Sequence, residues 1–157
     1  MHIRRMESRD IEAILAIQAV SPEIAQWAAW DYERVARGEM TGWVAEEAGQ
    51  VRERGIEQVI EQVVGFLIAR SVVNDVEILN LAVDPEARRQ GVGSALLAEA
   101  VSWSRGLEAK KALLEVRASN LAALQFYERH HFQAIGKRPR YYMDPVDDAL
   151  VLSLNLE

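Results

Sequence analysis

The 157-residue chain is predicted to be an α/β protein, an α/β/α sandwich whose central sheet is mixed and mostly antiparallel. Three observations lead there. Short apolar strand patterns alternate with amphipathic helical ones. The run Ile78 to Val83 passes through a glycine-bearing turn, Arg88-Arg89-Gln90-Gly91-Val92-Gly93-Ser94, into the amphipathic pattern Ala95 to Trp103, which makes a strand, a turn and a helix start. Two further strand patterns close the chain after its last helix.

Taken in order, Ile3 to Met6 is a short strand, and Ile11, Ile14, Leu15 and Gln18 have helical spacing up to the break at Pro22. A second helix is expected from Glu23 to Arg37, ended by Gly38. Thr41 to Glu47 and Val63 to Val72 read as strands. The charged segment Glu46 to Gln62 between them fits an extended hairpin or a short helix. Asn74-Asp75 marks a hairpin turn into the strand Val76 to Val83. The glycine-bearing turn and its helix, ending near Gly106, come next, then a strand at Ala112 to Val116 and a helix at Asn120 to His130. Phe132 to Arg138 and Ala149 to Asn155 are the closing strands. No repeat or low-complexity segment interrupts this, and half of the residues are apolar, so one domain over residues 1–157 is expected.

Composition excludes several kinds of chemistry. Without cysteine there is no disulfide framework, thiolate nucleophile or cysteine metal site. His2, His130 and His131 lack partners at ligand spacing, so no metal is expected. No apolar run approaches the roughly 20 residues that span a bilayer, and Met1-His2-Ile3-Arg4-Arg5 leads into acidic residues rather than a signal core. The expectation is a soluble cytoplasmic protein without a membrane partner. A net charge of −6 argues against a nucleic-acid partner, which needs a basic face, and agrees weakly with a cationic acceptor.

The turn from Arg88 to Ser94 has the makings of an anion cradle. A helix start leaves N–H groups unpaired at the positive end of the macrodipole, and glycines let an anion approach the backbone. Two phosphate loops do not fit. A Walker loop needs Lys and then Ser or Thr after its last Gly, but Gly93 is followed by Ser94 and Ala95. A dinucleotide fingerprint needs a third Gly where Leu96 stands. The remaining pattern, Arg/Gln-x-x-Gly-x-Gly/Ala, is filled by Arg88, Gly91 and Gly93. It resembles the acetyl-CoA pyrophosphate loop of the GNAT N-acetyltransferases, although a plain tight turn fits the same letters.

A second block strengthens the resemblance. Leu113-Leu114-Glu115-Val116-Arg117-Ala118-Ser119-Asn120, followed by Phe126-Tyr127-Glu128, is similar to the RimI-type branch of that superfamily, the ribosomal-protein-alanine N-acetyltransferases. With Asn80 to Pro85 the similarity covers roughly residues 78–136. Arg140-Tyr141-Tyr142 and Asp147-Asp148-Ala149 resemble the family's closing hairpin, while the first 75 residues match in layout alone. The resemblance implies acetyl-CoA as co-substrate and a sheet splayed at the cofactor site. Leu81, Ala82 and Val83 would present backbone groups to the pantetheine, and Arg88, Arg89, Gln90, Gly91, Val92, Gly93 and Ser94 would hold the pyrophosphate. Asn120 would bond the cofactor arm. Glu115 would be the general base, through a water, and Tyr127 the general acid. Tyr141, Tyr142, Asp147 and Asp148 would line the acceptor pocket.

The residues themselves allow these roles. Strand alternation puts Glu115 with Leu113 and Arg117 on one side of an otherwise apolar strand; a desolvated base and an outward ion-paired Glu both fit that position. Tyr127 follows Asn120 by seven residues, two helical turns, so both project from one stripe. A tyrosine stays protonated at neutral pH and can reprotonate a thiolate. Deprotonating an α-amine at pH 7.4 costs about 0.5 kcal/mol and a lysine about 4 kcal/mol, which favours a peptide or protein N-terminus as acceptor, a ribosomal protein by resemblance. A small-molecule amine such as a polyamine or aminoglycoside is the competing acceptor. A silent acetyl-CoA-binding module is the other reading, and Glu115 with Tyr127 argues against it. Three features depart from the family: His131 stands where a helix-ending Gly is usual, the Glu46 to Gln62 segment is longer and more charged than a typical hairpin, and the Tyr142–Asp147 loop is short. Trp27, Trp30 and Tyr32 are expected to pack the core or line the acceptor cleft.

Overall fold

The computed structural model describes every residue from Met1 to Glu157. The strands are β1 (His2–Arg5), β2 (Thr41–Glu53), β3 (Ile56–Val72), β4 (Asp75–Val83), β5 (Lys111–Arg117), β6 (Gln133–Tyr142) and β7 (Asp147–Asn155). The helices are α1 (Ile11–Ala19), α2 (Ala29–Ala36), α3 (Val92–Gly106) and α4 (Leu121–Arg129). All seven strands join one sheet in the order β1-β2-β3-β4-β5-β7-β6. β1 with β2, β5 with β7 and β6 with β7 pair antiparallel, and β4 with β5 pairs parallel, as a helical crossover through α3 requires. This is the mixed, mostly antiparallel sheet that the sequence predicts. The chain forms two compact units, Met1–Ile68 with Asn80–Ala100 and Ala69–Leu79 with Val101–Glu157.

In the first unit Ile14, Val44, Phe66, Leu67, Ile68 and Leu96 are fully buried, with Tyr32 among them. The Tyr32 hydroxyl donates to Gln18 Oε1 at 2.5 Å, and the Asn80 amide reaches the same hydroxyl at 3.3 Å and the Ala25 carbonyl at 3.1 Å. Gln18 also takes the Trp27 N–H and donates to the Trp27 carbonyl. These bonds hold residues 21–28 as an irregular loop, so the second helix begins at Ala29 rather than at Glu23. Asp31 caps that start by accepting the Ala28 N–H at 2.9 Å. Of the three aromatic residues, Tyr32 is core and Trp30 is exposed.

The charged segment 46–62 is an extended hairpin. β2 and β3 turn over at Arg54-Gly55, both at positive φ (52° and 81°), as a two-residue turn demands. The next turn lies one residue earlier than the sequence suggested, at Val73-Asn74, with exposed Val73 at φ 49°. Gly65 on β3 lets α3 approach closely: a Cβ there would stand 3.1 Å from the Ala82 carbonyl and from Val92, and 3.2 Å from Leu96. The intimate helix-to-strand packing that a dinucleotide fingerprint obtains from a helix glycine comes here from a strand glycine.

In the second unit β5 lies between β4 and β7. Its ladder with β4 contains two residue pairs, Val76–Ala112 and Glu77–Leu113, while both strands run on, to Val83 and Arg117. α4 starts at its cap Asn120, whose Oδ1 accepts the Ala123 N–H at 3.2 Å. β6 is an edge strand, exposed along almost its whole length and carrying Lys137, Arg138 and Arg140.

Candidate active site

The first unit carries the predicted cradle. β4 ends at Val83, and Asp84 caps a 3-10 turn (Pro85–Ala87) by accepting the Glu86 N–H at 2.9 Å. Along β4 the Ala82 side chain is buried and those of Leu81 and Val83 are half-buried. The Arg88 guanidinium, although exposed, is engaged by its own chain, donating to the Val83 carbonyl at 3.0 Å and to Ser21 Oγ at 3.3 Å beside Glu23 at 3.5 Å. Arg88 thereby staples the loop to the end of its own strand. The following turn uses left-handed backbone at Arg89 (φ 62°) and Gly91 (φ 84°). A Cβ on Gly91 would meet nothing within 4 Å, so the space beside this residue is open. Buried Val92 pins the start of α3, and the first helical bond from this loop runs from the Ala95 N–H to the Gly91 carbonyl at 3.0 Å. Gly93 and Ser94 fill the first turn, and the side chains of Arg89 and Gln90 are exposed. An open left-handed turn, a helix start and a free-standing arginine form a donor set that fits a diphosphate.

The second unit carries Glu115, Asn120 and Tyr127. Glu115 sits on β5 opposite Val151 of β7, half-buried, and its Oε1 meets Arg138 Nε of β6 at 3.1 Å. Glu115 is therefore both partly withdrawn from solvent and ion-paired. Asn120 opens α4, and Tyr127 lies two turns on, near its end. The Tyr127 ring is buried against Phe126 and Phe132, at centroid distances of 5.1 and 5.4 Å. Burial pushes its phenol above the ordinary tyrosine value, so it stays protonated throughout the physiological range.

The helix exit explains how Tyr127 is held. His131 adopts φ 70°; its N–H bonds the Glu128 carbonyl at 2.9 Å, and the Phe132 N–H bonds the Tyr127 carbonyl at 3.0 Å. That is a complete Schellman motif, with Phe132 packed on Tyr127 as its apolar contact. The histidine keeps the geometry that a glycine gives elsewhere.

The predicted acceptor residues form the β6–β7 turn. Asp147 Oδ2 accepts from Ser119 Oγ at 2.6 Å and from its N–H at 3.2 Å, which holds this carboxyl below its ordinary value. Asp148 bonds the Arg140 N–H at 2.9 Å and Lys137 at 3.0 Å, with the same effect. The Asp147 carboxylate thus latches the hairpin to the β5–α4 turn and the Asp148 carboxylate is engaged within the hairpin, so neither points free charge outward. Tyr142 is half-buried under Arg117, whose guanidinium lies 4.4 Å from the ring centroid and donates to the Pro145 carbonyl at 3.1 Å. Burial, then the Glu115 charge, raises the Tyr142 phenol. Tyr141 is exposed, with Arg138 at 5.3 Å over its ring. Sequence reasoning missed Arg138, Ser119 and Ser21. Arg138 stands in a run of edge-strand charges that looks like a solvated face, and only the strand register brings it to Glu115.

The sequence model described as "Acetyltransferase (GNAT) family" matches residues 10–132. The chain belongs to the GNAT acetyltransferase family. Over 91 residues this GNAT chain is 37% identical to the ribosomal protein bS18-alanine N-acetyltransferase of Escherichia coli K12, a match covering 57% of this chain and 62% of that relative. It therefore spans less than two thirds of the curated relative's length. The crystal structure of the ribosomal-protein-S18-alanine N-acetyltransferase from Escherichia coli matches 99% of this GNAT chain and 94% of that one, at 26% identity and a TM-score of 0.77. Arabidopsis thaliana NAA60, crystallised in complex with acetyl-CoA, shares the GNAT fold at 21% identity, with a TM-score of 0.81 over 98% of this chain and 97% of that one.

Proposed function

We propose that this GNAT domain is an acetyl-CoA-dependent N-acetyltransferase that acts on the N-terminal α-amine of a protein or peptide, by direct transfer. Bound acetyl-CoA supplies a thioester carbonyl and a thiolate leaving group. The turn of Arg89, Gln90 and Gly91 and the start of α3 hold the diphosphate, and Arg88 keeps that turn in shape. Backbone groups of Leu81 to Val83 receive the pantetheine, and Asn120 both caps α4 and bonds the cofactor arm. Glu115 takes a proton from the amine through a water. The amine nitrogen bonds the acetyl carbon, the C–S bond breaks, and Tyr127 gives its proton to the departing sulfur. No side chain becomes acylated.

The observation that carries this reading is the β5–α4 segment, which places a carboxylate on a strand and a buried, protonated phenol near the end of the next helix within one compact unit. The bS18-alanine acetyltransferases among its relatives support a protein N-terminus as acceptor and, by analogy, a ribosomal one.

The test is acetyl-CoA turnover on a peptide with a free N-terminal Ala and basic residues, compared with polyamines and with an N-terminally blocked lysine peptide. The α-amine should be the best acceptor. Glu115→Gln and Tyr127→Phe should each lower kcat roughly 10²–10⁴-fold, and Tyr127→Phe should leave acetyl-CoA affinity nearly unchanged. Tight CoA binding with no turnover of any amine would identify a silent module instead.

A further inference from the structure

Glu115 is not free to greet an ammonium group. Its Oε1 is paired with Arg138 at 3.1 Å, and Arg138 also lies over the Tyr141 ring. Arg117, two residues along β5, projects from the same face of the sheet, in register with Ala149 of β7 and, beyond it, with Arg138 of β6. The two arginines are held differently. Arg117 is fixed by the Met143 and Pro145 carbonyls and by the Tyr142 ring. Arg138 is 56% exposed, and its one ion partner is Glu115.

We propose that Arg138 is a positioning residue that sets acceptor specificity: it neutralises Glu115 until the acceptor arrives and so disfavours amines that arrive protonated. This rests on the proposed role of Glu115 as base. A lysine or polyamine nitrogen, with a pKa near 10.4, approaches almost wholly protonated. It finds a carboxylate whose charge is already matched, flanked by a second guanidinium. An α-amine, with a pKa of 7.7 to 8.0, offers a substantial neutral fraction at pH 7.4, which is not repelled and can use Glu115 through a water. The arginine pair thus selects by the charge state of the nucleophile. The Arg138 guanidinium itself lies over the exposed Tyr141 ring, 5.3 Å from its centroid, and at 56% exposure it can swing clear of Glu115 without breaking a buried contact.

The experiment compares kcat/KM for three acceptors: a lysine-free peptide with an open α-amine, an N-terminally blocked peptide with one lysine, and spermidine. Wild type, R138A, R138Q and R138K are assayed, with thermal melting to confirm folding. R138A and R138Q should raise the lysine-to-α-amine and spermidine-to-α-amine ratios by on the order of fivefold, mainly through the KM of the cationic acceptors, as a screened repulsion between partly exposed charges allows. R138K, which keeps the charge, should restore the wild-type ratios. If the neutral variants turn over the α-amine peptide with unchanged ratios, the role of Arg138 is refuted while the proposed function stands. If wild type acetylates no amine at all, the proposed function fails and this inference falls with it.

Discussion

His131 holds the end of α4 in left-handed backbone that costs a non-glycine residue about 1 kcal/mol. The strain is tolerated because the Schellman bonds and the Phe132–Tyr127 contact over-determine the turn. His131→Gly should relieve it, offset in part by the extra freedom of glycine in the unfolded chain, for a net gain of about 0.5 kcal/mol and a Tm rise of about 1–2 °C. His131→Ala should give no such gain, and differential scanning calorimetry separates the two. Single residues were unequally legible in the sequence. Glu115, Asn120 and Tyr127 could be named through the family resemblance because one strand and the following helix carry them in a single contiguous stretch. The engagement of Asp147 with Ser119 and of Asp148 with Lys137 could not, since those partners are set by how β7 aligns with β5 and with β6.

Three elements meet at Arg4. From β1 its guanidinium makes a two-pronged contact with Asp10, at 2.7 and 2.8 Å, just before α1, and meets Glu46 of β2 at 2.9 Å through Nε. Burial works against a charged Asp10, but the Arg4 hydrogen bonds, the Glu7 N–H and the Arg4 charge outweigh it, so its carboxyl lies below the ordinary aspartate value. A depressed carboxyl stabilises the fold above its unfolded pKa, near 3.9, and that contribution is lost as the pH falls through the folded value. Asp10→Asn should therefore cost about 2–3 kcal/mol at pH 7 in urea unfolding, less than breaking an isolated buried pair because Glu46 still partners Arg4. The gap to wild type should close below about pH 4. Helix propensity alone would have started α2 six residues early. The bonds from Gln18 and Asn80 hold that stretch as a loop instead, and Asn80, 55 residues from Ala25, lies outside any local window.

At the scale of the whole molecule, ligand binding should appear as stability. A ligand at about 100 times its Kd that binds only the folded state adds about 2.7 kcal/mol, which for a chain of this size raises Tm by roughly 5–10 °C. CoA should do this in differential scanning fluorimetry. Gly91→Val, which forces a β-branched side chain into φ 84° and so strains the turn of the cradle, should abolish most of the shift. The fold class was legible because strand and helix periods are local properties of the chain, and so was the cradle, because a strand, a turn and a helix start follow one another within 26 residues, from Ile78 to Trp103. Tertiary structure alone decided the sheet order, the Gly65 contact that brings α3 close, the engagement of Arg88 with Ser21, and the pairing of Glu115 with Arg138. Each of these joins residues far apart in the chain, and a side chain's charge partner or close neighbour depends on strand register and packing distance, which local pattern does not encode.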